Sequence, residues 1–199
     1  MAGPSDSTLR QYARGAVRGH VLEQAWLLFT EHGFDHVTVE QIATAAGMSR
    51  RTFFRYFPGK DALLGEFLSD VGQGLADQVE TRPDEESAWT ALSAVLVDLA
   101  RTADDDSGLA AQVLDMLKPT SARAFVEQRR QRWIELFAPL VGRRHPALSP
   151  MAREAVAASA IACLDAAQEH WRARPGSSFA ELLDEALRAV APALPVEGS

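Results

Sequence analysis

Residues 33–64, GFDHVTVEQIATAAGMSRRTFFRYFPGKDALL, have the pattern of two short helices joined by a tight turn. Thr38 and Gln41 stand three residues apart, as in a capping box, so they mark the start of the first helix. Ser49 is a suitable N-cap for the second helix. Gly47 opens the turn between the two helices. The stretch therefore predicts a helix–turn–helix unit.

The apolar residues of this unit fall on the helix sides that face each other. Ile42, Ala43 and Ala46 of the first helix can pack against Phe53 and Phe57 of the second. The remaining surface of the second helix carries polar residues: Arg50, Arg51, Thr52, Arg55 and Tyr56. This layout is typical of a recognition helix in the major groove of DNA. Arginine there can bind guanine, while threonine, tyrosine and lysine contact phosphates.

The same region carries a family signature over roughly residues 15–64. Its parts are Phe29-x-x-x-Gly33-Phe34, Thr38-x-x-x-Ile42-Ala43-x-x-Ala46-Gly47 and Ser49-x-x-Thr52-Phe53-Phe54-x-Tyr56-Phe57-x-x-Lys60-x-x-Leu63. The signature resembles the DNA-binding region of TetR-type transcriptional regulators. The resemblance implies a DNA-binding head fused to a helical body that dimerises and binds a small molecule.

The resemblance also assigns roles to individual residues. It implies that Arg50, Arg51 and Thr52 contact DNA bases. It implies that Thr38, Tyr56 and Lys60 contact DNA phosphates. Phe54 departs from the family, which usually has tyrosine there, so its ring is kept and a phosphate-binding hydroxyl is lost. The alternative for the three arginines is an ordinary solvated face. The complete predicted DNA-binding set is Thr38, Ser49, Arg50, Arg51, Thr52, Phe54, Arg55, Tyr56 and Lys60.

The charge distribution agrees with a DNA-binding head. The 199-residue chain has a net charge of −7, but residues 1–60 carry +2 and the remainder −9. The net positive charge of residues 1–60 favours binding to negatively charged DNA, although the remainder of the chain is acidic. The lone Cys163 fits a reducing cytosol. Since no stretch has the apolar length of a membrane span or a signal peptide, we expect a cytoplasmic protein without a membrane partner.

Nothing in the sequence predicts an enzyme, a cofactor or a metal site. No serine motif resembles a nucleophile elbow, and Cys163 has no convincing histidine partner. His32 and His36 are separated by the helix-breaking Gly33, so they do not share a helical face. We therefore expect no catalytic residue and no bound metal.

The whole chain predicts an all-α protein of about nine helices. The expected domains are a flexible tail at 1–13, the helix–turn–helix domain at 14–60, a ligand-binding and dimerisation domain at 61–194, and a tail at 195–199. The expected helices cover Arg14–His32, the two of the helix–turn–helix unit, Lys60–Thr81, residues 83–103, a sixth that ends at Leu117, Pro119–Val141, Ser149–Ala173 and Ser178–Val190.

The body yields less specific predictions. The resemblance implies that the last two helices pair two subunits as a four-helix bundle, and we expect Ala158, Ala162, Leu183 and Leu187 to lie in this contact. The alanine-rich sequence of the first of these helices suits close packing, and a two-fold protein matches a palindromic operator. The alternative is that this face packs within one subunit. Trp89, Phe125 and Trp133 are predicted to line a ligand pocket, and the alternative for each is a place in the core.

The expected function is a homodimeric repressor that a small, hydrophobic ligand releases from operator DNA. Residues 129–194, with Arg132-Trp133 and Glu169-His-Trp171-Arg172, resemble the body of mycofactocin-type regulators, which implies a ligand of the acyl-CoA class. The alternative is a helical lipid- or acyl-chain-binding protein with a vestigial DNA-binding module. Gly72 and Gly74, inside the helix from Lys60, are expected either to let a neighbouring helix pack closely or to let this helix bend when ligand binds.

Overall fold

A computed structural model describes residues 6–104, 123–174 and 176–191, with side chains from residue 14 of the first range and residue 126 of the second. All regular structure in these ranges is helical, which confirms the predicted all-α class. The eight α-helices are α1 (Asp6–His32), α2 (Val39–Ala45), α3 (Arg50–Tyr56), α4 (Lys60–Thr81), α5 (Ala88–Asp104), α6 (Arg123–Arg144), α7 (Pro150–Ala173) and α8 (Phe179–Val190). A short 3₁₀ turn, Phe34–His36, connects α1 to α2.

Two predicted helix starts are wrong, and the helix predicted to end at Val141 continues to Arg144. The first helix already begins at Asp6, because no proline or glycine interrupts residues 6–13 and an acidic first turn suits a helix N-terminus. The fifth helix begins at Ala88 and not near Pro83, because the Ser87 hydroxyl accepts the Thr90 backbone N–H at 3.1 Å and so caps the helix there. The predicted sixth helix, which ends at Leu117, lies outside the described residues.

Contacts divide the chain into two compact units, Met1–Phe67 and Leu68–Ser199, so the boundary falls inside α4. In the first unit, α2 and α3 pack through Ile42, Phe53 and Phe57, which are buried. Gly47 has a φ of +65°, a conformation that disfavours any side chain and that allows the tight turn between the two helices.

The second unit is built around a core between α5, α6, α7 and α8. Its largest fully buried side chains are Leu92, Leu96, Trp133, Phe137, Phe179, Ile161 and Leu183. Helices α6 and α7 run antiparallel, since Arg129 pairs with Asp165 at one end and Gly142 lies against Arg153 at the other. At the end of α6, the Arg144 guanidinium donates to the carbonyls of Val79 and Pro83 and so fixes the turn between α4 and α5.

Candidate DNA-binding site and ligand-binding region

The helix–turn–helix unit begins with the predicted capping box. The Thr38 hydroxyl accepts the Gln41 backbone N–H at 3.3 Å, and the Gln41 side chain accepts the Thr38 backbone N–H at 2.8 Å. Both donors would otherwise lack an intrahelical partner. Thr38 is exposed at the start of α2, so a phosphate could approach it while the cap remains formed. A phosphate contact by Thr38 stays a prediction.

The next helix, α3, is fixed at its start by Ser49. The Ser49 hydroxyl accepts the Thr52 backbone N–H at 3.1 Å, as predicted for an N-cap. The two hydroxyl oxygens lie 2.9 Å apart, so the Thr52 hydroxyl already has a partner inside the helix. Thr52 is half-buried. Ser49 and Thr52 therefore set the shape of the first turn of α3, in addition to any contact with DNA.

The two arginines at the start of α3 differ in their surroundings. Arg50 forms an ion pair with Glu40 of α2 at 2.8 Å, and its guanidinium carbon lies 5.4 Å from the centre of the Phe54 ring. Arg51 is exposed, and no ion pair to it occurs within the described part of the chain. Arg51 thus presents a free guanidinium, whereas Arg50 is held by a carboxylate that DNA must compete with.

The C-terminal half of α3 presents aromatic rings and a third arginine. Phe54 is 43% exposed, which is unusual for so large an apolar side chain, and its ring meets the edge of Phe53. Arg55 is also exposed, and its guanidinium carbon lies 5.2 Å from the centre of the Tyr56 ring. An exposed ring on a recognition helix can contact a thymine methyl group.

Lys60, which was predicted to contact a DNA phosphate, instead binds backbone carbonyls of its own chain. Its ammonium donates to the carbonyls of Phe34, Val37 and Asp35 at 2.8, 3.1 and 3.3 Å. An ammonium has three donors, and all three are used here. Lys60 therefore holds the turn between α1 and α2, and the predicted phosphate contact would require it to release one of these carbonyls.

Arg18 is a residue of the site that sequence reasoning missed. From α1 it donates to the Tyr56 carbonyl at 2.8 Å, and it forms an ion pair with Glu66. Its guanidinium carbon also lies 4.6 Å from the centre of the Phe57 ring. These contacts fix the C-terminal end of α3. The partners are 38 residues apart in the sequence, and no local pattern signals the pairing.

The three predicted pocket residues have three different outcomes. Trp89 lines an open groove of about 520 Å³ between α5 and α8, together with apolar Val97 and Leu187. Trp133 is buried in the core, and its indole N–H donates to the Leu68 carbonyl at 2.9 Å, so its place in a ligand pocket stays a prediction. The side chain of Phe125 lies outside the described residues.

The four residues predicted to lie in a dimer interface differ in their burial. Leu183 and Leu187 of α8 are 0% and 2% exposed and belong to the core of their own unit. A side chain that is buried within its own subunit cannot cover a partner, which corrects both predictions. Ala158 is half-buried and Ala162 is exposed on α7. Their contact with a partner stays a prediction.

Both parts of the chain match models of known protein families. Residues 21–67 match the model of bacterial regulatory proteins of the tetR family. Residues 86–195, more than half of the chain, match the MftR C-terminal domain. The chain belongs to the TetR family. It is therefore a DNA-binding transcriptional regulator with an N-terminal helix–turn–helix and a C-terminal helical body.

One relative of this TetR-family chain matches most of its length, and another matches less than half of it. It is 32% identical to MftR of Mycobacterium tuberculosis, described as a mycofactocin biosynthesis transcriptional regulator, over 89% of this chain and 90% of that protein. The regulator TcmR of Streptomyces glaucescens is 34% identical over 45% of this chain and 40% of its own length. The resemblance of the body to mycofactocin-type regulators is thus confirmed.

A solved structure of a TetR-family repressor has a similar fold. Thermus thermophilus FadR, solved in complex with lauroyl-CoA, has a TM-score of 0.65 and 27% identity, over 92% of this chain and 97% of FadR. A TetR-family regulator from Streptomyces coelicolor shares the fold with a TM-score of 0.59 and 23% identity, over 89% of this chain and 80% of its own.

Two further observations concern other classes of protein. Within the described ranges, no helix is long and apolar enough to cross a membrane. The same ranges contain no group of three or more histidine, cysteine or acidic residues that could hold a metal ion. The relatives and the neighbouring structures reported above are transcriptional regulators and not enzymes.

Proposed function

We propose that this TetR-family regulator represses its target genes by binding a palindromic operator as a homodimer, and that a small ligand in the second unit releases it. The observation that carries the DNA-binding part is the surface of α3, where Arg51 and the ring of Phe54 are exposed on a helix capped at its start by Ser49. In the DNA-bound dimer the two α3 helices lie about 34–36 Å apart, one turn of the duplex.

The dimer is proposed from the outer face of α7. This face carries Ala155, Ala162 and Ala166, all exposed, which follow one another by two helical turns and by one. Met151, near the start of the same face, is 77% exposed. Small side chains allow two helices to approach closely, and an exposed methionine is apolar surface that a second subunit could cover.

The ligand is proposed to be a small molecule with an apolar body. Support comes from FadR, which was solved in complex with lauroyl-CoA, and from the match of this chain to the MftR C-terminal domain. The groove at Trp89 supplies one candidate surface, in which apolar Trp89, Val97 and Leu187 lie beside charged side chains that include Arg82 and Asp98. We expect binding, not catalysis, to be the activity of this unit, and the chain to work in the cytoplasm.

Titration of fluorescently labelled promoter DNA from the chain's own gene neighbourhood tests the proposal. Arg50→Ala and Arg51→Ala should each weaken operator binding by about 1–3 kcal/mol and relax base choice. Arg132→Ala is the matched control, because Arg132 is exposed in the second unit and forms an exposed ion pair with Glu135. Equal affinity of both α3 variants and the wild type would contradict the assignment of α3. A chain that binds lipid but no promoter DNA would support the acyl-chain-binding alternative.

A further inference from the structure

The C-terminal end of the recognition helix α3 has little support from its own backbone. The helix has only seven residues, and Phe57, which follows it, is extended. The next residue, Pro58, has no backbone N–H and so cannot bond to a carbonyl of α3. Since the last carbonyls of a helix have no partner inside it, they need donors from elsewhere. The end of α3 therefore depends on a side chain of another helix.

Arg18 of α1 supplies this donor. Its guanidinium donates to the Tyr56 carbonyl at 2.8 Å, and its central carbon lies 4.6 Å from the centre of the Phe57 ring. Phe57 is buried, so the guanidinium packs against the side chain that anchors the end of α3. A positive charge is also favourable here, because the C-terminal end of a helix carries a partial negative charge.

Glu66 of α4 holds Arg18 in this place. Its carboxylate pairs with the terminal guanidinium nitrogen that does not donate to Tyr56. Only 39% of the Arg18 side chain and 31% of the Glu66 side chain are exposed, so solvent screens the pair less than a fully exposed one. A planar guanidinium can bind two acceptors in fixed directions. Arg18 thus joins α1, α3 and α4, and its orientation depends on Glu66.

The occupied nitrogens argue against a direct contact between Arg18 and DNA. An arginine that binds a DNA phosphate uses free N–H groups, and its charge releases counterions from the DNA. Both terminal nitrogens of Arg18 already have acceptors, and the Glu66 carboxylate balances its charge and would repel a nearby phosphate. Arg18 therefore differs from Arg51, which is exposed on α3 itself.

We propose that Arg18 and Glu66 are positioning residues for DNA binding, which hold the end of α3 in the place from which its exposed side chains contact the operator. This inference rests on the proposed role of α3 and adds two residues outside α2 and α3. Removing a negative charge from a DNA-binding unit ordinarily strengthens DNA binding. Removing Glu66 should weaken operator binding instead, because Arg18 loses its orientation.

The first measurement needs no DNA. Hydrogen–deuterium exchange of the full-length chain, followed by mass spectrometry, reports how readily the end of α3 opens. Arg18→Met and Glu66→Met should each speed exchange at residues 53–57 by about fivefold or more, because a charge-assisted contact at that end is lost. Exchange in α2 should match the wild type. Equal exchange at residues 53–57 in the wild type and both variants would overturn the inference.

The second measurement compares the promoter operator with a scrambled duplex of the same length. Both variants should raise the operator Kd by about tenfold and the scrambled-duplex Kd by less than about twofold, because binding to unrelated DNA depends on phosphate contacts alone. The salt dependence of operator binding should keep the wild-type slope. The double variant should bind no more weakly than either single variant, because both residues act through one contact.

Three further variants serve as controls. Glu23→Met removes an exposed carboxylate of α1, so it should bind the operator at least as tightly as the wild type. Arg132→Met breaks an exposed arginine–glutamate pair of the second unit and should leave both affinities unchanged. Glu66→Gln keeps an oxygen acceptor for Arg18, so it should restore much of the operator affinity that Glu66→Met loses.

Two other results would also overturn the inference. If Arg18→Met flattens the salt dependence by about one unit of slope and weakens both duplexes alike, while Glu66→Met strengthens them, Arg18 contacts a phosphate. If both variants melt at lower temperature but bind the operator like the wild type while folded, the pair only stabilises the fold. Glu66→Met decides on its own if Arg18→Met does not fold.

Failure of this inference and failure of the proposed function give different results. If Arg50→Ala and Arg51→Ala weaken operator binding but the Arg18 and Glu66 variants do not, only the positioning role fails. If the Arg50 and Arg51 variants leave operator binding unchanged, the proposed role of α3 fails. Exchange at residues 53–57 then still decides whether Arg18 and Glu66 hold the end of the helix.

Discussion

At the scale of single residues, the recognition helix holds two neighbouring arginines in different states. Arg51 is exposed without an ion-pair partner among the described side chains, and Arg50 is bound to Glu40. Exposed ion pairs contribute at most about 1 kcal/mol, so DNA phosphates or guanine can displace the carboxylate at low cost. Glu40 therefore sets how readily Arg50 engages DNA.

Replacing Glu40 with glutamine should strengthen operator binding several-fold, because Arg50 is released and a negative charge near the DNA backbone is removed. Fluorescence anisotropy at about 0.1 M salt would measure the change. Glu31→Gln, at an exposed acidic residue of α1, is the control for loss of charge alone. A weaker affinity of the Glu40 variant would mean that Glu40 instead holds Arg50 in its DNA-contacting geometry.

At the scale of helices, the two glycines of α4 have opposite surroundings. A Cβ at Gly72 would lie 2.3 Å from the indole nitrogen of Trp133, whereas a Cβ at Gly74 would meet nothing within 4 Å. Gly72→Ala should lower the free energy of unfolding by about 1–3 kcal/mol, because it displaces a buried indole and its bond to Leu68. Gly74→Ala should raise the free energy of unfolding by up to about 1 kcal/mol, the gain in helix propensity.

Urea unfolding of the two single variants would measure these opposite changes in the free energy of unfolding.

Close packing thus accounts for Gly72, and Gly74 is the position at which bending of α4 can be tested without a clash. If α4 bends there when ligand binds, Gly74→Ala should keep operator affinity and blunt release by ligand. Unchanged release would contradict the bending hypothesis. An equal loss of stability in both variants would contradict the packing account.

The start of α8 depends on a carboxylate from the end of α5. Asp104 accepts the Phe179 backbone N–H at 2.7 Å, the Ser178 hydroxyl at 2.7 Å and the Ala180 backbone N–H at 3.1 Å. Asp104→Ala should lower the free energy of unfolding by about 1–2 kcal/mol, because it removes a cap and a favourable charge at a helix N-terminus.

Asp98→Ala is the matched control for this variant. Asp98 lies on the same helix and forms an exposed ion pair with Arg101, so its loss should cost less than about 1 kcal/mol. Thermal melts followed by circular dichroism would compare the two. A larger loss for Asp98 than for Asp104 would show that α8 does not rely on the carboxylate.

At the scale of the whole molecule, the proposed dimer should be permanent, with about 2,000 Å² or more of total surface buried. Ala162→Arg should give folded monomers in sedimentation at micromolar concentration, because a large charge would lie in the contact. Leu183→Arg should instead prevent folding, since Leu183 is in the core of its own subunit. A monomeric wild type, or a dimeric Ala162 variant, would contradict the proposed interface.

The all-α class, the helix–turn–helix unit and most helix starts could be predicted from the sequence. Thr38, Ser49, Ser149 and Ser178 each cap the helix that they were predicted to cap. These features could be predicted because a cap and its partner lie within three residues of each other, and because apolar periodicity reports which face of a helix is buried.

The tertiary structure alone decided which side chains are free for a ligand or a partner. Lys60 is held by three distant carbonyls, Leu183 lies in the core, and Arg129 meets Asp165 across 36 residues of sequence. Such contacts depend on how helices far apart in the chain pack together. They leave no recognisable pattern in the sequence around each residue. The recognition helix can therefore be identified from its sequence pattern. Which charged side chains remain available at a site is known only once the packing of the helices is known.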